Sequence, residues 1–333
     1  MMRKGWEKPV CDICQSREFL VSWMEGITTW EHKGKFNFVK CENCGLVFQS
    51  PRIPFEKVVK FYPSESYWGR DVTKKRKTKE LNKEREWAYG FVYKEVFSRI
   101  NKGAILDIGS GLGLFLSKFK DKGWEVLGTD ISSDVAGFSQ KVFGVKVLLG
   151  DVVDMDLPKK HFDIVSMNSV LEHVYSPRKT LKKAAEVLKE NGLLVLVLPN
   201  VKGFGQYIFK RGWIQLQPGR HLYLFSPETL KNLLKDTGFE VDKISHAYWA
   251  QNYYSLFQSF RFNFSPKFKK KEQGGLASGS LKEAKKPSPF SIKKEFWKLL
   301  AKILAVIIAA IEPIVGRGEI MTVYAKKSQK RKY

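Results

Sequence analysis

Three glycines at alternate positions, Gly109, Gly111 and Gly113, follow the apolar run Ala104-Ile-Leu-Asp-Ile108, and an apolar stripe at helical spacing (Leu112, Phe115, Leu116, Phe119) follows them. A glycine turn between strand and helix lets a ligand approach the backbone and tolerates unusual dihedrals. A dinucleotide fingerprint needs glycine at its first, third and sixth positions; here the sixth is Leu114. Asp107, two residues before the first glycine, would repel a pyrophosphate and attract a cation. The turn therefore points to S-adenosylmethionine (SAM), which carries an ammonium and a sulfonium. An ordinary βα turn without SAM is the other reading of this stretch taken alone.

Two more carboxylates stand at the ends of expected strands. Asp130, seventeen residues after Gly113, is placed to accept both ribose hydroxyls, with Ile131 beside it. Asp151 is placed to accept from the adenine amino group, with Val152 beside it. Asn168 ends the next strand, near the point where such folds bind ligands.

Four cysteines form a second constellation, Cys11-x2-Cys14 and Cys41-x2-Cys44, with 26 residues between the pairs. That spacing is the sequence form of a zinc ribbon, four thiolates around one Zn²⁺. Gly45 permits the tight turn of the second knuckle. A disulfide pair is the alternative, and the lack of a secretory leader argues against it. A four-thiolate site has no open coordination position, so the zinc is expected to be structural. The ribbon reads as a folding staple that helps to frame a substrate entrance.

Methyl transfer to a hydroxyl needs a group that removes a proton. His173 and His221 are the candidates on the catalytic side. A purely structural hydrogen-bonding role is the competing reading of His173. His161 precedes a strand, at the opposite end, and is expected on the surface.

These residues require an alternation of strand and helix, which implies a mostly parallel sheet. The pattern predicts strands near 104–108, 124–129, 145–149, 162–167, 193–198 and 239–247. Helices are expected near 112–122, 132–143, 177–189 and 227–237. A last, antiparallel strand is expected at 318–325. The expected organisation is a zinc ribbon over 1–53, a helical connector or lid over 54–100, and a SAM-binding core over 101–250. A basic linker and apolar helix occupy 251–315, and the last strand with a basic tail 316–333. Tyr62, Tyr67 and Trp68 form an aromatic cluster in the connector.

Residues 104–250 resemble a class I SAM-dependent methyltransferase. The similarity rests on the glycine turn, on Leu171-Glu172-His173 after the fourth strand, on His221-Leu222 with Phe225-Ser-Pro-Glu-Thr-Leu230, and on Thr237-Gly-Phe-Glu240. Members with an N-terminal four-cysteine ribbon also carry a tract like Cys44-Gly-Leu-Val-Phe48 with Pro51. The resemblance implies an α/β, Rossmann-like seven-stranded methyltransferase sheet with a small N-terminal zinc ribbon and a C-terminal apolar helix insertion. Related enzymes with Glu-x-x-Glu-His bind a divalent metal beside the acceptor. Here Ser169 stands at the first position, so no active-site metal is expected.

The formal net charge is +24 over 333 residues. Its distribution is uneven: +7 for residues 1–100, +4 for 101–260 and +13 for 261–333. A nearly balanced core with a basic C-terminal fifth suggests an anionic surface as partner. No apolar run reaches eighteen residues, so no ordinary transmembrane helix is expected. With no leader peptide either, the expected location is cytoplasmic, with peripheral attachment to the inner membrane face through 265–313. The apolar helix that starts at Phe296-Trp297 reads either as an in-plane membrane helix or as a core or dimer helix. The oligomeric state stays open.

The expected function is methyl transfer from SAM to a hydroxyl or carbon of a small-molecule or lipid-linked acceptor, such as a sugar or cell-surface glycan precursor. A quinone-type lipid methyltransferase is the alternative within enzymes. An RNA-binding protein or RNA methyltransferase is another, opposed by the nearly neutral core and by Asn168-Ser-Val-Leu where a base-methylating motif would stand. A SAM-binding regulator without catalysis is the third.

Overall fold

A computed structural model of the chain describes residues 5–17, 20–28, 34–58, 78–264 and 292–328. The connector aromatics Tyr62, Tyr67 and Trp68 and the linker 265–290 lie outside the described residues.

The central sheet has seven strands: β4 (Ala104–Ile108), β5 (Glu125–Asp130), β6 (Val147–Leu149), β7 (Phe162–Asn168), β8 (Leu188–Pro199), β10 (Phe239–Ser245) and β11 (Ile320–Lys327). Their order is β10-β11-β8-β7-β4-β5-β6. β4 to β8 run parallel, whereas β11 is antiparallel to both β8 and β10. This is the expected Rossmann-like sheet with its antiparallel last strand. Alternate residues along each strand face opposite layers. In β8, Leu194, Leu196 and Leu198 pack with α5 (Pro177–Val187) and α7 (Pro227–Asp236). Val195 and Val197 pack instead with α2 (Thr78–Arg99) and α3 (Leu114–Asp121). The near-continuous apolar strands follow from burial on both faces.

Helix starts agree with local chemistry. Ser226 caps α7, with Pro227 in the first turn and a reciprocal Ser226–Thr229 capping box. Ser176 caps α5, again followed by proline. α4 (Ser133–Phe143) ends at Gly144, whose φ of 62° closes the helix in the left-handed region.

A second sheet, β1-β2-β3-β9, belongs to the ribbon. β1 (Leu20–Thr28), β2 (Gly34–Cys41) and β3 (Val47–Gln49) come from the N-terminus, and β9 (Tyr223–Leu224) comes from the core. The ribbon is therefore joined to the catalytic-side loops by backbone pairing, with Val47 opposite Leu224 and Phe48 opposite Tyr223.

A third layer contains α6 (Phe204–Phe209), α8 (Trp249–Phe264) and α9 (Ile292–Val315). Leu256, Phe260, Ala301, Ala305 and Ala309 pack there against Trp213, Leu216 and Leu224. The 16-residue α8 occupies a stretch that sequence patterning leaves without an element. No helix among the described residues is long and apolar enough to cross a membrane.

Candidate active site

The chain runs β4, β5, β6 outward on one side and returns to β7 on the other side of β4. This reversal creates a crevice at the carboxyl ends of β4 and β7. Asp107 is the penultimate residue of β4 there, and Asn168 ends β7.

The turn after β4 is built around its glycines. Gly109, Gly111 and Gly113 have φ of 68°, 52° and 73°, where an L side chain is strained. A Cβ on Gly109 would also collide with Val170, and one on Gly113 with Ser139. Asp130 fastens this turn: its Oδ2 accepts from the Gly111 N–H at 2.9 Å and its Oδ1 from the Ser132 N–H at 2.9 Å. Each oxygen keeps a second lone pair. Ile131, directly after β5, is 38% exposed. Asp151 accepts from the Val153 N–H at 3.0 Å and so caps a short turn of which Val152 is the buried member.

Asp107 is buried, and its Oδ1 accepts from Ser166 Oγ at 2.6 Å and Asn168 Nδ2 at 3.2 Å. Burial, reinforced by the Asp130 charge, pushes its carboxyl up to about 7 despite these bonds. Asn168 Oδ1 and Ser110 Oγ are buried with no hydrogen-bond partner among the described residues. A carboxyl without a counter-cation next to an orphaned acceptor fits a cationic donor such as the ammonium of SAM. Tyr89, on α2, lies close enough for the Asp107 charge to raise its phenol further, after burial has done most of the work. Tyr89 carries no sequence signal, because it sits on a helix that reads only as a connector.

The second half of the site lies after β7. Glu172, His173 and His221 come together, each offering a ligand atom within 4.8 Å of the others. The two imidazoles meet edge to face with centroids 4.6 Å apart. His173 Nδ1 donates to the Arg220 carbonyl at 3.0 Å and His221 Nδ1 to the Gln215 carbonyl at 2.7 Å. A carbonyl can only accept, so both Nδ1 atoms carry the proton and each Nε2 keeps a lone pair, that of His173 lying 4.0 Å from Glu172 Oε1. Burial depresses His173 to about 4 and drives His221 down as well, with His173 adding to the effect. Both Glu172 oxygens are buried without a hydrogen-bond partner among the described residues, with His173 Nε2 4.0 Å from Oε1, and burial raises this carboxyl to about 8. Such a trio can relay a proton, and its donor set could also hold a divalent cation. The Leu-Glu-His motif exposes Glu172 to sequence reasoning, but its role becomes visible only when His221 arrives from 49 residues away. His161 is bonded to Glu125 on the surface at the far end, as expected.

The ribbon delivers His221. Gln49 Oε1 accepts from the Gly219 N–H at 2.9 Å, and the Gln49 N–H donates to the Leu222 carbonyl at 2.8 Å. Arg52, buried, donates to Tyr223 Oη at 2.9 Å and to the Tyr175 carbonyl at 3.1 Å. At the other end of the ribbon, Asp12 accepts from the Arg178 N–H at 2.6 Å, at the start of α5.

The four sulfurs of Cys11, Cys14, Cys41 and Cys44 lie within 4.8 Å of one another, with Cys11–Cys44 at 3.4 Å and Cys14–Cys41 at 3.5 Å. Tetrahedral Zn²⁺ with bonds of about 2.3 Å sets its sulfurs about 3.8 Å apart, so the cluster fits. Backbone N–H groups of Ile13 and Cys14 point at the Cys11 sulfur, and those of Asn43 and Cys44 at Cys41. These donors suit thiolates.

Residues 81–244 match the model of a family described as a methyltransferase domain. An uncharacterized protein of Methanocaldococcus jannaschii is 28% identical over 141 residues, covering 42% of this chain and 66% of that protein. A ubiquinone biosynthesis O-methyltransferase of Rickettsia canadensis is 24% identical over 182 residues, covering 50% and 76%. A probable SAM-dependent methyltransferase of Mycobacterium tuberculosis is 25% identical over 178 residues, covering 50% and 61%.

Proposed function

We propose, for a chain whose residues 81–244 form a methyltransferase domain, that the protein transfers a methyl group from SAM to a hydroxyl of a small or lipid-linked acceptor. The observation that carries this reading is the pairing of a cation-seeking crevice, Asp107 with orphaned Asn168 Oδ1, with two neutral imidazoles whose Nε2 atoms are unprotonated.

SAM supplies an electrophilic methyl on its sulfonium. Asp107 and Asn168 would hold the ammonium end, Asp130 the ribose hydroxyls, and Asp151 the adenine amino group against Ile131 and Val152. With SAM bound, its methyl would leave the sulfonium for the acceptor oxygen, the S–C bond breaking to give S-adenosylhomocysteine; the acceptor's proton passes to Nε2 of His173, the more accessible of the two rings. A cation on His173 favours the ionised form of Glu172 beside it, so the two form an ion pair and the proton that Glu172 gives up leaves to solvent. The zinc ribbon holds the His221 strand in place and supplies no chemistry of its own.

Within this class, one observation favours a phenolic, quinone-type lipid over a glycan precursor. An imidazole depressed to about 4 is a weak base, and a phenol near 10 surrenders its proton far more readily than an aliphatic hydroxyl. The similarity to a ubiquinone biosynthesis O-methyltransferase supports the same choice.

The test is label transfer from methyl-labelled SAM, with a catechol bearing a short prenyl chain and a nucleotide sugar offered side by side. Label on the phenol, lost in His173→Ala, agrees with the reading. Label on the sugar alone contradicts the acceptor class, and label on neither contradicts the reaction.

A further inference from the structure

Helix α9 is inside out. Its buried positions are Ala301, Ala305 and Ala309, spaced by four and continued by Glu312, with Leu304 and Ile308 half-buried beside them. Its exposed positions include Leu299, Ile303, Val306, Ile307, Ile311 and Ile314, the last 83% exposed. A helix on a water-facing surface turns its large aliphatic side chains inward and its small or polar ones outward. Here alanines allow α8 to approach closely, and the branched side chains form a contiguous outward stripe of the kind that marks an interaction site.

The charge around that stripe identifies what covers it. From Ile303 to Gly316 the only charged residue is Glu312, which is buried. At about 1.5 Å per residue this is about 20 Å of uncharged helix face. Exposed cations stand at both ends, Lys298 and Lys302 before it and Arg317 after it. The chain between α8 and α9 adds seven lysines against two glutamates. Trp249, 47% exposed, opens a stack with Tyr253 and Phe257 along the adjoining α8. A self-complementary contact between two copies would set these cations against their equivalents, with no exposed acid among the described side chains of α9 to answer them. Anionic headgroups above an apolar layer answer both features.

We propose that the outward face of α9 docks in the plane of an anionic lipid surface. The helix lies on the bilayer rather than crossing it. Docking also bears on the catalytic side. Under α9, Ser259 Oγ of α8 accepts from the Ile214 N–H at 3.0 Å, and Asn263 Nδ2 donates to the Gly212 carbonyl at 3.0 Å. These bonds hold the segment that ends at His221, so the membrane face stands one layer from the candidate base.

The full-length protein is tested by co-sedimentation with phosphatidylcholine vesicles, with and without about one-third phosphatidylglycerol. The expected result is binding to the anionic vesicles that weakens at least about tenfold in Ile303→Glu/Ile307→Glu and on raising salt from about 0.1 to 0.5 M. Both side chains point to solvent, and far-UV circular dichroism checks that the variant is folded. In the unaltered protein, lipids brominated on their acyl chains should quench tryptophan fluorescence. Absence of vesicle binding, equal binding by the variant, or a lipid-independent dimer dispersed by the same substitutions would each overturn the proposal. Binding is read without SAM or acceptor, so its failure leaves the methyl-transfer reading intact.

Discussion

Among the described residues no cation faces Asp107, and burial raises its carboxyl to about 7. A cationic ligand must bind the ionised form, so below pH 7 binding has to expel a proton. The dissociation constant for SAM should therefore rise as pH falls from 8 to 6, by up to about tenfold per unit at the acid end. Asp107→Asn should weaken binding and flatten this dependence, as titration calorimetry at three pH values would show. A pH-independent affinity in the unaltered protein would argue that Asp107 does not face the ligand. The histidines make a separate prediction. His173→Ala and His221→Ala should each lower kcat by about 10²–10⁴-fold, with SAM affinity unchanged in equilibrium dialysis. Ser169 stands where related sites carry a carboxylate ligand, and the proposed methyl transfer asks of Glu172, His173 and His221 only proton relay. Added Mg²⁺ should then change turnover less than about tenfold; a larger stimulation would make the trio a cation site.

At the scale of elements, the ribbon is a positioning device. Its β3 pairs with β9 directly after His221, and Gln49 grips the loop on both sides. Loosening the knuckles should disturb the acceptor side and leave the glycine turn, built on β4 and β5, in place. Cys41→Ser, or removal of zinc, should lower kcat/KM by at least about tenfold while SAM binding persists. Joint loss of both would show that the ribbon is needed for the whole fold instead. The parallel strands were legible because burial on both faces writes continuous apolar runs, such as Leu193–Leu198. The turn and the carboxylates at strand ends were legible because each sits at a fixed offset from a strand. Helix α8 was not. Its inward face carries Asn252, Ser255 and Ser259, all buried, so its apolar periodicity is broken by residues whose partners come from distant segments. Tyr89 and the β3–β9 pairing were hidden for the same reason, since no local pattern records a contact made across the fold.

The whole molecule closes around a buried acid pair. Glu319 accepts from the Gly205 N–H at 2.6 Å, from Trp213 Nε1 at 2.6 Å and from Ser255 Oγ at 2.9 Å, tying α6, α8 and β11 together. Glu312 of α9 faces it, with one oxygen unpartnered, and burial beside that second carboxyl pushes it up to about 9. A carboxyl raised on folding prefers its protonated form, so its contribution to stability is present below about pH 4.5. That contribution is lost as pH rises through 9. Glu312→Gln cannot ionise, and its Tm should exceed that of the unaltered protein by a few °C at pH 9, with a smaller difference at pH 5. Equal slopes of Tm against pH would show that Glu312 is ionised throughout. This seam fastens α9 to the start of β11 and holds its aliphatic face outward.

The crevice at the ends of β4 and β7 is the feature on which the rest depends. Titration calorimetry of SAM, with NAD as a comparison ligand, tests it most directly. Saturable one-to-one binding of SAM is expected, weakened at least about tenfold, or 1.4 kcal/mol, in Asp130→Asn, and no binding of NAD. Failure to bind SAM, or unchanged affinity in that variant, would contradict the account.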